Sequence, residues 1–254
     1  MRSPFDLTGR LAVVTGARRG IGLAIAEALA NAGADVIGVS AAMRLDGGEV
    51  GDRVRAAGRE FRGIACDFAD RAAVVNLAAA LESMDRSIDV LVNNAGTIER
   101  VPAAEHPIDL WDRVLEVNLT SQFLLTQSLA RPMLARGSGS VIFTASLLSF
   151  QGGITVPGYT ASKSAVAGLV RALSNEWTGR GVRVNAIAPG YISTDNTAAL
   201  QSDPDRSLAI VERIPAGRWG DAADIGGAAV FLASDASAYV SGVTLPVDGG
   251  WLGR

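Results

Sequence analysis

Leu11-Ala12-Val13-Val14-Thr15-Gly16-Ala17-Arg18-Arg19-Gly20-Ile21-Gly22 is the stretch that decides the fold. Its first five residues are uncharged and β-branched-rich, and they read as a buried strand. The glycines then follow as Gly-x-x-x-Gly-x-Gly rather than the commoner Gly-x-Gly-x-x-Gly. Residues 21–32 have helical spacing and end at Gly33, a natural C-terminal cap. A glycine turn between a strand and a helix lets backbone approach a pyrophosphate closely. The helix start adds free N–H groups and a positive dipole end. The segment therefore predicts nucleotide binding.

The same alternation continues along the chain. Strands are predicted at 36–39, 62–66, 90–92, 140–144, 182–186 and 244–247, with a helix at 70–84 and an alanine-rich one at 161–177. Near-continuous apolar strands imply burial on both faces, hence a doubly wound parallel α/β sheet with helices on both sides. Residues 41–51 read as a polar loop. Nothing reads as a linker or repeat, so 1–254 is expected to be a single domain. The polar segment 194–214 is a candidate substrate lid, since ligands lie at the carboxyl ends of such strands.

Bulk properties narrow the function. In 254 residues, 48% are hydrophobic and 19% charged, enough for a large core. A net charge of −3 gives no sign of nucleic-acid binding. One cysteine, Cys66, and one histidine, His106, exclude an intrachain disulfide and any thiolate or multi-histidine metal cluster, so no metal is expected. His106 precedes Pro107 and reads as a helix-start residue. The N-terminus lacks the apolar core of a signal peptide. The uncharged stretch 137–162 is broken by glycine and proline, so no membrane span is expected. A cytoplasmic enzyme is the expectation.

Tyr159 and Lys163 lie four apart, on one face of a helix. A free phenol has a pKa of about 10, and a cation within about 4–6 Å favours the phenolate. Such a tuned tyrosine suits proton exchange with an alcohol. Tyr-x-x-x-Lys also occurs on ordinary solvated helices, so the rest of the chain must decide.

Asn93-Asn94-Ala95-Gly96 follows a strand, as do Ser146 and Pro189-Gly190, and Asn118 stands in Val117-Asn118-Leu119. With the glycine turn and the Tyr159/Lys163 pair, the whole chain resembles the short-chain dehydrogenase/reductase family. The resemblance implies a Rossmann-like sheet of about seven strands and a nicotinamide cofactor. It implies Tyr159 as general acid/base, Lys163 as the residue that lowers its pKa and contacts the nicotinamide ribose, and Ser146 as the holder of the substrate oxygen. Asn118 would support a relay water. Gly16, Arg18, Arg19, Gly20, Ile21, Gly22, Ser40, Asp67, Asn93, Ala95, Gly96, Pro189, Gly190, Ile192 and Thr194 would bind cofactor. Asp67 would meet the adenine and Thr194 the nicotinamide amide. A homotetramer is implied too.

No acid ends the second strand, where NAD-preferring proteins place one on the ribose. Arg19 and Arg44 could meet a 2′-phosphate, so the choice between NAD and NADP leans to NADP. Residues 146–153, 214–220 and 247–252 are similar to sugar-acid dehydrogenases of the gluconate type. A sugar acid needs a carboxylate partner, for which Arg100 is expected, with Gln151 and Tyr191 as hydroxyl contacts. The alternatives are a reductase of 3-oxoacyl thioesters or another small ketone, and a cofactor-binding regulator without turnover. A Ser146–Lys163 hydrolase is disfavoured, since no Gly-x-Ser-x-Gly elbow surrounds Ser146.

Overall fold

The structure is a computed structural model that describes residues 3–254. The N-terminal reading at Met1 and Arg2 lies outside the described residues. In chain order the elements are β1 (Leu11–Thr15), α1 (Gly20–Asn31), β2 (Asp35–Ser40), α2 (Glu49–Ala56), β3 (Phe61–Ala65), α3 (Arg71–Glu82) and β4 (Val90–Asn93). Then come α4 (Ile108–Leu115), α5 (Ser121–Arg136), β5 (Gly139–Thr144), α6 (Pro157–Trp177) and β6 (Val182–Pro189). The chain closes with α7 (Ala198–Gln201), α8 (Pro204–Arg213), α9 (Ala223–Ala233) and β7 (Thr244–Val247).

All seven strands form one parallel sheet in the order β3-β2-β1-β4-β5-β6-β7. Every residue of β1 is buried, as the apolar run predicts. Side chains alternate between two cores. Leu11 and Val13 join Leu125 of α5, Val74 of α3 and Val170 of α6 on one face. Ala12 and Val14 join Leu29 of α1, Val54 of α2 and Ile225 of α9 on the other. The segment expected to be a loop at 41–51 is shorter, because α2 begins at Glu49. The helix at 161–177 begins earlier, with Pro157 in its first turn, where its missing N–H costs nothing.

The strand order reverses between β1 and β4. That is where crevices open in doubly wound sheets. Between α4 and α5 the helix loosens into a π turn, Glu116–Thr120, which carries Asn118. Such turns are rare and recur at functional sites.

Gly181 links α6 to β6 with φ +82°, and a Cβ there would lie 2.0 Å from the Gly137 carbonyl oxygen. Gly179 has open space around it. Gly181→Ala is expected to lower unfolding free energy by about 2 kcal/mol or more, and Gly179→Ala by under about 0.5, in urea titrations.

Candidate active site

A cleft of about 710 Å³ runs across the switch point. At one end Gly16, Arg18, Arg19, Gly20, Ile21 and Gly22 form its wall. The turn is built from glycine for steric reasons. Gly16 and Gly20 have φ +67° and +55°, and a Cβ on Gly22 would lie 2.2 Å from the Gly16 carbonyl oxygen. Arg19, at the capping position just before α1, makes no side-chain cap, so the first-turn amides lie along the cleft without an internal acceptor. A Cβ on Gly20 would meet only the Thr194 methyl at 3.5 Å, leaving backbone able to approach a ligand. This cradle fits the pyrophosphate of a dinucleotide.

Ser40, Asp67, Ala95, Gly96, Pro189, Gly190, Ile192 and Thr194 also line the cleft. Asn93 does not. Its side chain is buried and donates to Thr126 Oγ1 at 2.8 Å. Strand alternation sends it into the core and brings Asn94 to the cleft instead. Asn94 Nδ2 donates to the Thr15 carbonyl oxygen at 3.0 Å, and Thr144 Oγ1 donates to Asn94 Oδ1 at 3.2 Å. Arg113, which sequence reasoning also missed, lines the cleft from α4.

At the far end stand Ser146, Tyr159 and Lys163. Lys163 is 3% exposed, and its Nζ donates to the Thr144 carbonyl oxygen at 2.6 Å. That Nζ lies 5.6 Å from the Tyr159 ring centroid. Burial pulls the Lys163 ammonium down to about 8. Burial also pushes the Tyr159 phenol above its usual value, while the Ser146 hydroxyl and the Arg100 charge pull the other way. Lys163 is not among the groups that pull the Tyr159 phenol down. Its ammonium is turned to Thr144, and desolvation of the phenolate outweighs the groups that favour it.

The Ser146 hydroxyl accepts from Leu148 N at 3.2 Å. Ser149 braces this loop on α6, its hydroxyl donating to the Lys163 carbonyl oxygen at 2.7 Å. Asn118 is fully buried. Its Oδ1 accepts from Thr97 N at 2.8 Å, and its Nδ2 donates to the Thr97 carbonyl oxygen at 2.9 Å and to Ser162 Oγ at 3.1 Å. Ser162 Oγ in turn donates to the Tyr159 carbonyl oxygen at 2.8 Å. Both amide hydrogens of Asn118 are thus committed to protein, so its side chain has no donor left for a relay water.

Of the expected substrate residues only Ser146 lines the cleft; Arg100, Gln151 and Tyr191 do not. Arg100 is within electrostatic reach of the Tyr159 phenol, and its Nη2 donates to the Asn196 carbonyl oxygen at 3.0 Å. Gln151 Oε1 accepts from Trp251 Nε1 at 3.3 Å, and the Tyr191 ring packs on Trp219 and Trp251. The C-terminal Trp251, distant in sequence, draws both aside. Arg44 also lies outside the cleft, paired with Asp46 at 2.7 Å. Arg19 pairs with Asp195 at 2.5 Å. His106 stands two residues before α4 and is part-exposed. Among the described residues, no cluster could hold a metal and no helix is long and apolar enough to cross a membrane.

A family model described as "Enoyl-(Acyl carrier protein) reductase" matches residues 16–252. The chain belongs to the short-chain dehydrogenase/reductase family. Within it, the chain is 60% identical to the 2-dehydro-3-deoxy-D-gluconate 5-dehydrogenase of Pseudoalteromonas atlantica, over 100% of both chains. It is 54% identical to the enzyme of that name from Bacillus subtilis, over 100% of this chain and 99% of the relative. Among solved structures, a protein from Agrobacterium tumefaciens, provisionally assigned as a 2-deoxy-D-gluconate 3-dehydrogenase and with bound NADP, is 50% identical with a TM-score of 0.93 over 100% of both chains. As a short-chain dehydrogenase/reductase, this protein is an oxidoreductase that uses a nicotinamide cofactor.

The buried Lys163 gives a pH signature in stability. Its pKa is about 8 folded against 10.5 unfolded, so between these values the unfolded chain holds more protons and stability rises with pH. The raised Tyr159 reverses the trend above about pH 10. From pH 8 to 10, wild type is expected to gain roughly 2–3 kcal/mol relative to Lys163→Met, read from paired urea titrations.

Proposed function

We propose that this protein oxidises a secondary alcohol of a sugar acid, of the 2-dehydro-3-deoxy-D-gluconate type, or reduces the matching ketone. The observation that carries the reading is the meeting of Tyr159, Lys163 and Ser146 at one end of a cleft whose other end is the glycine cradle. The names of relatives 54–60% identical over the whole chain support the substrate class.

When bound, the nicotinamide supplies the redox chemistry. The protein's own groups handle the proton. Ser146 Oγ holds the substrate oxygen, and Tyr159 Oη gives or takes the proton on that oxygen. Lys163 Nζ, anchored by Thr144, stands on the same helix face as the phenol and supplies positive charge to the site. Asn118 fixes the first turn of α6 through Ser162. Arg100 retains donors beyond the one given to Asn196, and these meet the substrate carboxylate.

The cofactor reading favours NADP. Ser40, not an acid, ends β2, and its hydroxyl accepts from Arg18 N at 3.3 Å. Arg18 therefore springs from the point where a ribose 2′-phosphate would sit, whereas Arg19 is engaged by Asp195. The relative with bound NADP supports the same choice. Segment 194–214 acts as a lid, held toward the cleft by Arg19–Asp195 and Arg100–Asn196. The chain works as a single domain in a cytoplasmic homotetramer.

A spectrophotometric screen of NADP and NAD against sugar acids, polyols and acyl thioesters tests the reading. NADP-linked turnover of a keto- or deoxy-gluconate is expected, and activity on acyl thioesters alone would overturn it. Tyr159→Phe is expected to lower kcat by about 10²-fold or more. Arg100→Ala is expected to raise the sugar-acid KM about tenfold with less effect on kcat. An unchanged KM would remove Arg100 as carboxylate partner.

A further inference from the structure

The π turn that presents Asn118 opens with Glu116, whose side chain is 17% exposed. An isolated π turn is less favourable than continued α-helix and needs an external brace. Glu116 has one. Arg71, the first residue of α3, donates through Nε to Glu116 Oε1 at 3.1 Å and through Nη2 to Oε2. This is a two-pronged guanidinium–carboxylate pair. The Arg71 hydrogen bonds, with help from the Ser121 hydroxyl and the Arg71 charge, hold the Glu116 carboxyl below its usual range. Ser121 Oγ lies 3.0 Å from Glu116 Oε1 and 2.8 Å from the Phe68 carbonyl oxygen. An ionised carboxylate only accepts, so the single Ser121 proton is shared between those two acceptors.

These contacts join two walls of the cleft. Phe68 neighbours Asp67, and both line the cleft just ahead of α3. On the other side of Glu116 the path continues from Asn118 to Ser162 to the Tyr159 carbonyl oxygen. We infer that Glu116 is a positioning residue for the proton-handling site: its carboxylate, clamped by Arg71 and Ser121, holds the π turn in the register that lets Asn118 seat the helix turn bearing Tyr159.

Glu116 touches neither reacting group, so it acts on placement. Misplacement of a reacting group by about 1 Å costs up to about 10²-fold in rate. The inference rests on the reading of Tyr159 as the proton carrier, and Tyr159→Phe tests that reading separately. The experiment compares Glu116→Ala, Glu116→Gln and Arg71→Met, each purified as the full chain and assayed with NADP and the sugar acid that wild type turns over best. Arg71 is solvent-facing, so its truncation spares the core if Glu116→Ala folds poorly.

Glu116→Ala is expected to lower kcat about tenfold while the sugar-acid KM stays within about twofold. Glu116→Gln, which keeps an acceptor for Ser121, recovers part of that loss, and Arg71→Met shifts kcat in the same direction as Glu116→Ala. Wild-type kcat in both Glu116→Ala and Arg71→Met overturns the inference. So does a loss that only tracks the folded fraction measured by circular dichroism. If Tyr159→Phe keeps wild-type activity, the proton-carrier reading fails first, and the inference with it.

Discussion

One buried hydroxyl holds the switch point together. Thr15 Oγ1 donates to the Val92 carbonyl oxygen at 3.3 Å and accepts from the Asn94 and Ala95 amides, each at 2.9 Å. Its donor and both acceptor sites are thereby used, at a residue with no exposure. The parallel ladder alone leaves the ends of β1 and β4 free to splay, because their chains diverge into a glycine turn and a loop. Thr15 stitches them, and the Asn94 side chain adds a second stitch to the Thr15 carbonyl oxygen. An apolar residue here would leave these two part-buried amides without their acceptor. The cradle at Gly16 and the wall at Gly96 keep their separation because of that hydroxyl.

The opposite end of the cleft is organised by a costlier interaction. Placing an ammonium at 3% exposure loses its hydration, and the drop of Lys163 to about 8 measures the loss. The Thr144 carbonyl oxygen recovers part of it. The fold tolerates this because the surrounding frame is rigid: β5 is buried at its centre, and α6 runs for 21 residues against β6 and the core. Two desolvated groups, the buried Lys163 and the half-buried Tyr159 at the cleft wall, are concentrated within about one helical turn beside the apolar cores.

Local patterns carried most of the fold in the sequence. The 11–15 run, the glycine spacing and the Tyr159/Lys163 interval each depend on neighbours a few residues apart, so periodicity and turn chemistry expose them. What was illegible depends on distant partners. Asn93 and Asn94 are chemically identical, and only the phase of β4 against β1 sends one to the core and one to the cleft. Gln151 and Tyr191 read as pocket residues until Trp251 is placed beside both. The π turn rests on Arg71, and the occupation of Arg19 on Asp195. The tyrosine–lysine interval was visible while its electrostatics were not, since desolvation has no signature in spacing.

The raised phenol bears on how the site is poised. A protonated Tyr159 can give its proton to a carbonyl oxygen directly, whereas taking one from an alcohol requires that the phenol first lose its own. Burial therefore favours the donating state, and the oxidative direction depends on positive charge brought near Oη. Arg100 already supplies some of it, and it is tethered to segment 194–214 through Asn196. The same arginine thus links the acid/base group electrostatically to the polar segment 194–214. A substrate carboxylate arriving at Arg100 would neutralise part of that charge and restore the phenol's preference for its proton. On the proposed reading of Arg100 as the carboxylate partner, substrate recognition and proton affinity would be two effects of one guanidinium, which would tie the direction of the chemistry to what occupies the carboxylate end.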